Sequence, residues 1–209
     1  MTDKKPVKDL LLAALDVFGD KGFEGASTRA IAGRANAHQQ QITYHFGSKD
    51  QLWRDAVAFV FARFQVQVAD RIDGSASSHE SRLRRTVEDY LRFCRDNPQF
   101  SAITMWERSG SRGEWLQDQI IRPMMTTLYR GIFDRDLPPA RSNADIGTLS
   151  CILLLCQSSS VFTVRDHLSR GFSVDVLSDA FFSAYVDSVI AAVYPLSLAV
   201  RLAGEGGRG

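Results

Sequence analysis

The sequence predicts an all-α chain: a small N-terminal three-helix unit followed by a larger helical body, about nine helices in all. Three observations predict it. Apolar residues recur three and four positions apart through nearly every segment of the 209 residues, no stretch alternates with a period of two, and the interruptions fall at Gly, Pro and Ser clusters. Hydrophobic residues make up 44% of the chain and charged ones 23%, which provides for a sizeable core and excludes wholesale disorder. No internal repeat is visible.

Taken in order, Val7, Leu10, Leu11, Ala14, Val17 and Phe18 mark a first helix that ends before Gly22. Ser27 or Thr28 is placed to cap a second, since a hydroxyl there accepts from the orphan amides of a first turn. Ile31, Ala32 and Ala35 give that helix a narrow apolar face, and Ala32 is small enough for another helix to cross closely. Asn36 sits in the turn that follows and tolerates a left-handed backbone better than any residue but Gly. A third helix begins near His38; Ile42 and Phe46, four apart, face inward, while Gln40, Gln41, Thr43 and Tyr44 point largely away. Two short helices joined in this way form a helix-turn-helix, whose second helix lies in the major groove of duplex DNA.

Ser48 caps a fourth helix running through Leu52, Val57, Phe61, Phe64 and Val68 to about Ile72, and residues 73–78 form a flexible joint. A fifth takes Leu83, Val87, Tyr90, Leu91 and Cys94 and stops near Asn97 and Pro98. A short helix to about Glu107 is broken by residues 109–113. The next spans 115–133, with Pro123 expected to kink it or mark a separate start. Residues 134–142, with Pro138 and Pro139, form a loop, and two long apolar helices over 144–168 and 174–194 close the fold. From Gly204 the chain is a frayed tail.

The charge pattern is local. Between Ala26 and Lys49 there is no Asp or Glu, whereas Arg29, Arg34 and Lys49 are present, yet the whole chain has a net charge of only +1. That balance excludes binding through a diffuse basic surface and requires the acidic remainder to project away from a duplex.

At this point the residues resemble a known family. Ile42-Thr-Tyr-His-Phe-Gly-Ser-Lys-Asp-Gln-Leu52 is similar to the recognition-helix end and following helix entry of TetR-like (tetracycline-repressor-type) transcriptional regulators. Ala13-Ala-Leu-Asp-Val-Phe-Gly-Asp-Lys-Gly-Phe-Glu-Gly-Ala-Ser-Thr-Arg-Ala-Ile-Ala32 is a second matching block at the usual separation. The likeness covers roughly the first quarter of the chain, and it departs from the family at Asn36, often Gly, and at Thr43, often Tyr. It implies a helix-turn-helix DNA-binding domain over residues 1–50, a helical effector-binding and dimerisation domain over 51–203, and a flexible tail over 204–209. It implies phosphate contacts from Thr28, Tyr44, His45 and Lys49, and it makes Gln39, Gln40 and Thr43 the base-edge readers. A Gln amide pairs bidentately with adenine, and a Thr methyl rests on a thymine methyl. Lys49 stands at a helix start, where backbone amides already favour a phosphate.

The resemblance further implies a homodimer on a palindromic operator, built on the last two helices through Ile146, Leu149, Ile152 and Leu153 of one and Val176, Ala180, Phe181 and Ala184 of the other. One helix-turn-helix reads only a few base pairs, so two-fold dimers reach a useful site length. A small-molecule effector, apolar or aromatic, is expected in the body, with Phe93, Cys94, Met105, Trp106, Trp115, Met124, Tyr129 and Gln157 as candidate walls. The expected function is a repressor released from its operator by that effector.

Other classes find less support. His38, His45, His79 and His167 are scattered, Cys151 and Cys156 are five apart, and no P-loop, dinucleotide fingerprint or nucleophile elbow occurs, so neither an enzyme nor a resident metal or cofactor is expected. A helical protein-interaction module without specific DNA binding is the alternative. The longest nearly apolar run, near Cys151 to Cys156, is too short to cross a bilayer, and no signal peptide opens the chain. With three cysteines lacking disulfide-scaffold spacing, a reducing cytoplasm and no membrane partner are expected.

Overall fold

A computed structural model describes residues 4–72, 78–107, 109–134, 136 and 160–205, and among these every regular element is helical. The chain divides into two compact units, Met1–Arg63 with Asn97–Ile120, and Phe64–Asp96 with Ile121–Gly209.

In the first unit α1 (Lys4–Gly25) buries Leu10, Ala14 and Phe18 and breaks at Gly22, whose φ of 66° only glycine adopts without strain. A Cβ there would also stand 3.2 Å from the Trp106 ring. Short α2 (Thr28–Arg34) and α3 (Gln39–Phe46) follow, then α4 (Lys49–Phe64), which buries Leu52, Trp53, Ala56, Val57 and Val60. The unit is completed by α6 (Pro98–Trp106) and α7 (Gly110–Leu116). Helix α6 packs along α1, where Trp106 Nε1 donates to the Gly19 carbonyl at 3.0 Å and Gln99 Nε2 to Asp16 at 2.6 Å. Trp115 of α7 meets Trp53 edge to face at 5.7 Å between centroids.

The second unit is built on α5 (His79–Asp96), whose Leu83, Val87, Tyr90, Leu91, Phe93 and Cys94 form one buried stripe. It packs against α8 (Arg122–Phe133) and α10 (Asp179–Glu205); α9 (Arg165–Phe172) has no buried residue. Gly131 permits the α5–α8 approach, for a Cβ there would lie 2.6 Å from Thr86 Oγ1.

Several expected boundaries are corrected. The fourth helix reaches Ile72, but through a π-turn at Gln65–Ala69. Among the described residues the break after α6 takes in Glu107 and Ser109, and the next helix begins at Gly110 rather than Trp115. The disturbance expected at Pro123 takes the form of a second π-turn, Gln117–Ile121: proline lacks an N–H and crowds the carbonyl four residues back, and the wider turn relieves both. The helix expected to run to Leu168 stops at Val164, whose amide closes the preceding turn on Ser160 while its carbonyl accepts from His167 and Leu168 to start α9. The last helix starts at Asp179, not Val174. Asp175 Oδ1 holds the Leu177 amide in a turn, and Ser178 Oγ caps Phe181. It then continues past Pro195 to Glu205, so Gly204 lies within it. Val193 and Ser197 are buried on either side of the exposed proline, and Ser197 Oγ donates to the Tyr194 carbonyl at 2.8 Å. Residues 73–77 of the joint expected over 73–78, and most of the 134–142 loop, lie outside the described residues.

The expectation that the longest apolar run lies near Cys151 to Cys156 is also corrected, by length and composition alone. Asp179–Val200 has a mean hydropathy of 1.4 and is long and apolar enough to cross a membrane, although Asp187 hides this in a residue-by-residue reading. Its carboxylates are engaged within the unit: Asp187 pairs with Arg84 at 2.9 Å and Asp179 with Arg95 at 3.1 Å, and the Arg95 guanidinium lies over Phe182.

Candidate nucleic-acid interface

The first unit presents α3 through a chain of local devices. Ser27 Oγ accepts from the Ala30 amide at 3.1 Å and caps α2, so of the two hydroxyls the sequence offers, Ser27 is the cap. Ile31 and Ala32 are buried beneath it. The turn is closed by Asn36 at φ 51° and by the Ala37 amide on the Ala32 carbonyl at 2.9 Å. At the start of α3 the Gln41 side chain folds back to accept from the His38 amide at 2.9 Å. Gln41 is therefore half-buried and does not share the outward face expected for it. Ile42 and Phe46 are buried, burial worth about 1.5–3 kcal/mol for each such side chain, and they fix which face of α3 remains outside. Gly47 at φ 73° ends the helix, and Ser48 Oγ caps α4 by accepting from Gln51 at 3.0 Å.

Gln39, Gln40, Thr43 and Tyr44 are exposed, Tyr44 at 80%, while Thr28, His45 and Lys49 are half-buried. Gln40, Thr43 and Tyr44 stand three and four apart and so share a face. Two members are tied down. Gln39 Nε2 donates to Thr28 Oγ1 at 2.9 Å, and Lys49 Nζ donates to the Ala26 carbonyl at 2.9 Å while lying 4.3 Å from the Phe23 ring centre. The Tyr44 ring sits edge-on to His45 at 4.9 Å. Of the arginines in the acid-free segment, Arg34 pairs with Asp16 at 2.7 Å and clamps α2 to α1, whereas Arg29 is exposed. Sequence reasoning missed the Lys49 and Arg34 anchors, because both partners are distant in sequence: Ala26 lies in the link between α1 and α2, and Asp16 on α1.

The effector candidates are not gathered in one unit. Met105, Trp106 and Trp115 belong to the first; Met105 and Trp106 are more than half exposed, and Trp106 serves as an α1 contact. Phe93, Cys94, Met124 and Tyr129 lie in the second and are almost fully buried: Phe93 meets Phe64 at 5.4 Å, Tyr129 meets Phe133 at 4.7 Å, and burial pushes the Cys94 thiol up to about 12. An open cleft of about 350 Å³ between α5 and α10 is lined by Arg84, Arg92, Phe182 and Asp187 among others, and by none of the candidates. Gln157 lies outside the described residues, as do Ile146, Leu149, Ile152 and Leu153. Of the remaining interface candidates, Ala180 and Ala184 are exposed, Phe181 is half-buried and stacks on Tyr185 at 5.8 Å, and Val176 is buried.

Residues 10–56 match the family described as "Bacterial regulatory proteins, tetR family". The chain is 30% identical over 100 residues to the HTH-type transcriptional repressor NicS of Pseudomonas putida, covering 47% of this chain and 46% of that protein. It is 33% identical over 95 residues to the HTH-type transcriptional dual regulator CecR of Shigella flexneri, covering 43% and 41%. The match thus spans less than half the length of these curated relatives. The crystal structure of a TetR-like transcriptional regulator from Rhodococcus sp. RHA1 has the same fold over 95% of this chain and 96% of that one, with a TM-score of 0.63 at 22% identity.

Proposed function

We infer, from the premise that this chain is a regulator of the TetR family, that it is a sequence-specific DNA-binding transcriptional regulator acting as a repressor. The observation that carries this reading is the outward face of α3. Gln40, Thr43 and Tyr44 are exposed on a short helix whose opposite face is pinned by Ile42 and Phe46, inside a segment free of acids. Such a face presents amide, methyl and phenol groups to base edges and phosphates without opposing charge. The name of the Pseudomonas relative as a repressor supports the sign of regulation.

The operator is a palindrome bound by a homodimer. Supporting this, α10 leaves Ala180, Ala184, Ala191 and Leu198 exposed on an apolar helix, and close helix–helix contact is the economical way to cover them. A small apolar or aromatic effector in the body releases the dimer from DNA, in a cytoplasmic setting. It does so only as far as it binds the released state better, each tenfold loss of operator affinity requiring about 1.4 kcal/mol of differential binding. Selection from a random-sequence duplex pool tests the reading: a repressor of this kind enriches one inverted repeat, and enrichment of no sequence would defeat it.

A further inference from the structure

The acid-free segment 26–49 is bracketed by two acids, Glu24 just before it and Asp50 just after it. One residue from far along the chain reaches both. Arg112 Nη2 is 3.0 Å from Glu24 Oε1, Nη1 is 3.8 Å from Asp50 Oδ1, and Nε is 3.4 Å from Glu107 Oε2. Its guanidinium carbon also lies 3.6 Å from the centre of the Phe23 ring, the ring that carries the Lys49 ammonium at 4.3 Å. Arg112 lies well beyond the stretch 10–56 that matches the family. Glu24 is 85% exposed and has this ion pair with Arg112; Asp50 also accepts from Arg54 at 2.7 Å.

We propose that Arg112 is a positioning residue for DNA binding, holding Glu24 and Asp50 away from the duplex backbone and leaving the Lys49 ammonium available to a phosphate. The proposal rests on the DNA-binding reading above. Two unopposed carboxylates at the edges of the interface would repel phosphates, and either could capture Lys49. A fork of five donors suits this task, because one guanidinium engages several carboxylates at fixed geometry while stacking on an aromatic face. The effect is electrostatic, so salt attenuates it.

The test uses full-length protein and a duplex that the wild type selects from a random pool, with thermal unfolding recorded for every variant. The Glu107 side chain is only 10% exposed, so R112M is made together with E107Q to avoid stranding that carboxylate. R112M/E107Q is expected to bind about tenfold more weakly at low salt, with the deficit shrinking at higher salt. Adding E24Q and D50N restores most of the affinity, and on a K49M background the Arg112 substitution costs less than in the wild type, because only the repulsion of phosphates remains. Wild-type affinity in R112M/E107Q overturns the proposal. So does a loss that E24Q and D50N fail to restore, which marks a direct phosphate contact, and so does unfolding of R112M/E107Q, which makes Arg112 a residue of the fold. If Gln40→Ala with Tyr44→Ala also leaves binding unchanged, the regulator reading itself fails.

Discussion

Gln39 and Thr28 are locked to each other: the Gln39 amide donates to the Thr28 hydroxyl at 2.9 Å, joining the first residue of α3 to the first residue of α2. Gln40 and Thr43, by contrast, are exposed and make no side-chain hydrogen bond among the described residues. On the proposed insertion of α3 into the major groove, base reading is expected from Gln40 and Thr43 before Gln39. Q40A is expected to relax preference at one base pair of each half-site by about 1–3 kcal/mol, and Q39A to weaken binding more evenly across sequences. Competition with single-base variants of the selected duplex separates the two patterns.

The close approach of α5 and α8 depends on Gly131. A methyl there would meet Thr86 Oγ1 at 2.6 Å, Thr86 Cγ2 at 2.7 Å and Ile72 Cδ1 at 2.9 Å. Thr86 is held in place by its own bond to the Arg82 carbonyl at 2.9 Å. G131A is expected to cost about 1–3 kcal/mol by overpacking, read from urea unfolding, and G131A/T86A to recover part of it. Equal stability of G131A and wild type would contradict this packing.

Asp89 gives the second unit a pH dependence. Burial pushes its carboxyl above the ordinary range, and the Arg71 guanidinium at 3.1 Å opposes that only in part. The folded state then binds the proton more tightly than the unfolded state, so this group's contribution to stability falls as pH rises from about 3.9 through the higher folded value, and it does not return at neutral pH. D89N should gain on wild type between pH 4 and pH 7, since the lost partner Arg71 is 58% exposed and its pairing is worth little. Unfolding midpoints across that range check the sign.

Helix α10 carries the dimer proposal. Ala184 and Ala191, two turns apart, are both exposed on it. A184R and A191R are expected to yield folded monomers by light scattering, with loss of operator binding because each half-site is then held alone. A dimer that persists in both variants would place the interface elsewhere.

The helix-turn-helix was legible in the sequence because its determinants are local: the Ser27 cap, the left-handed Asn36, and the Ile42–Phe46 pair all act within four residues. What stayed hidden depends on distant partners. Nothing near Lys49 announces that its ammonium is tethered to Ala26, and nothing near Trp106 announces that its indole serves α1. The break at Val164 was out of reach, since apolar periodicity runs through it, while Pro123 announced a disturbance without announcing its π-turn form. Periodicity names a buried face without naming its partner, and the aromatic and Met positions expected as pocket walls lie in both units.

Dimethyl sulfate footprinting of the selected duplex tests the central claim most directly, because it reports guanine N7 in the major groove. Insertion of α3 from each subunit is expected to protect N7 in two half-sites centred about one helical turn apart, and Q40A/Y44A with unchanged thermal stability should lose that protection. Protection that persists in the variant, or its absence in the wild type, would contradict the account.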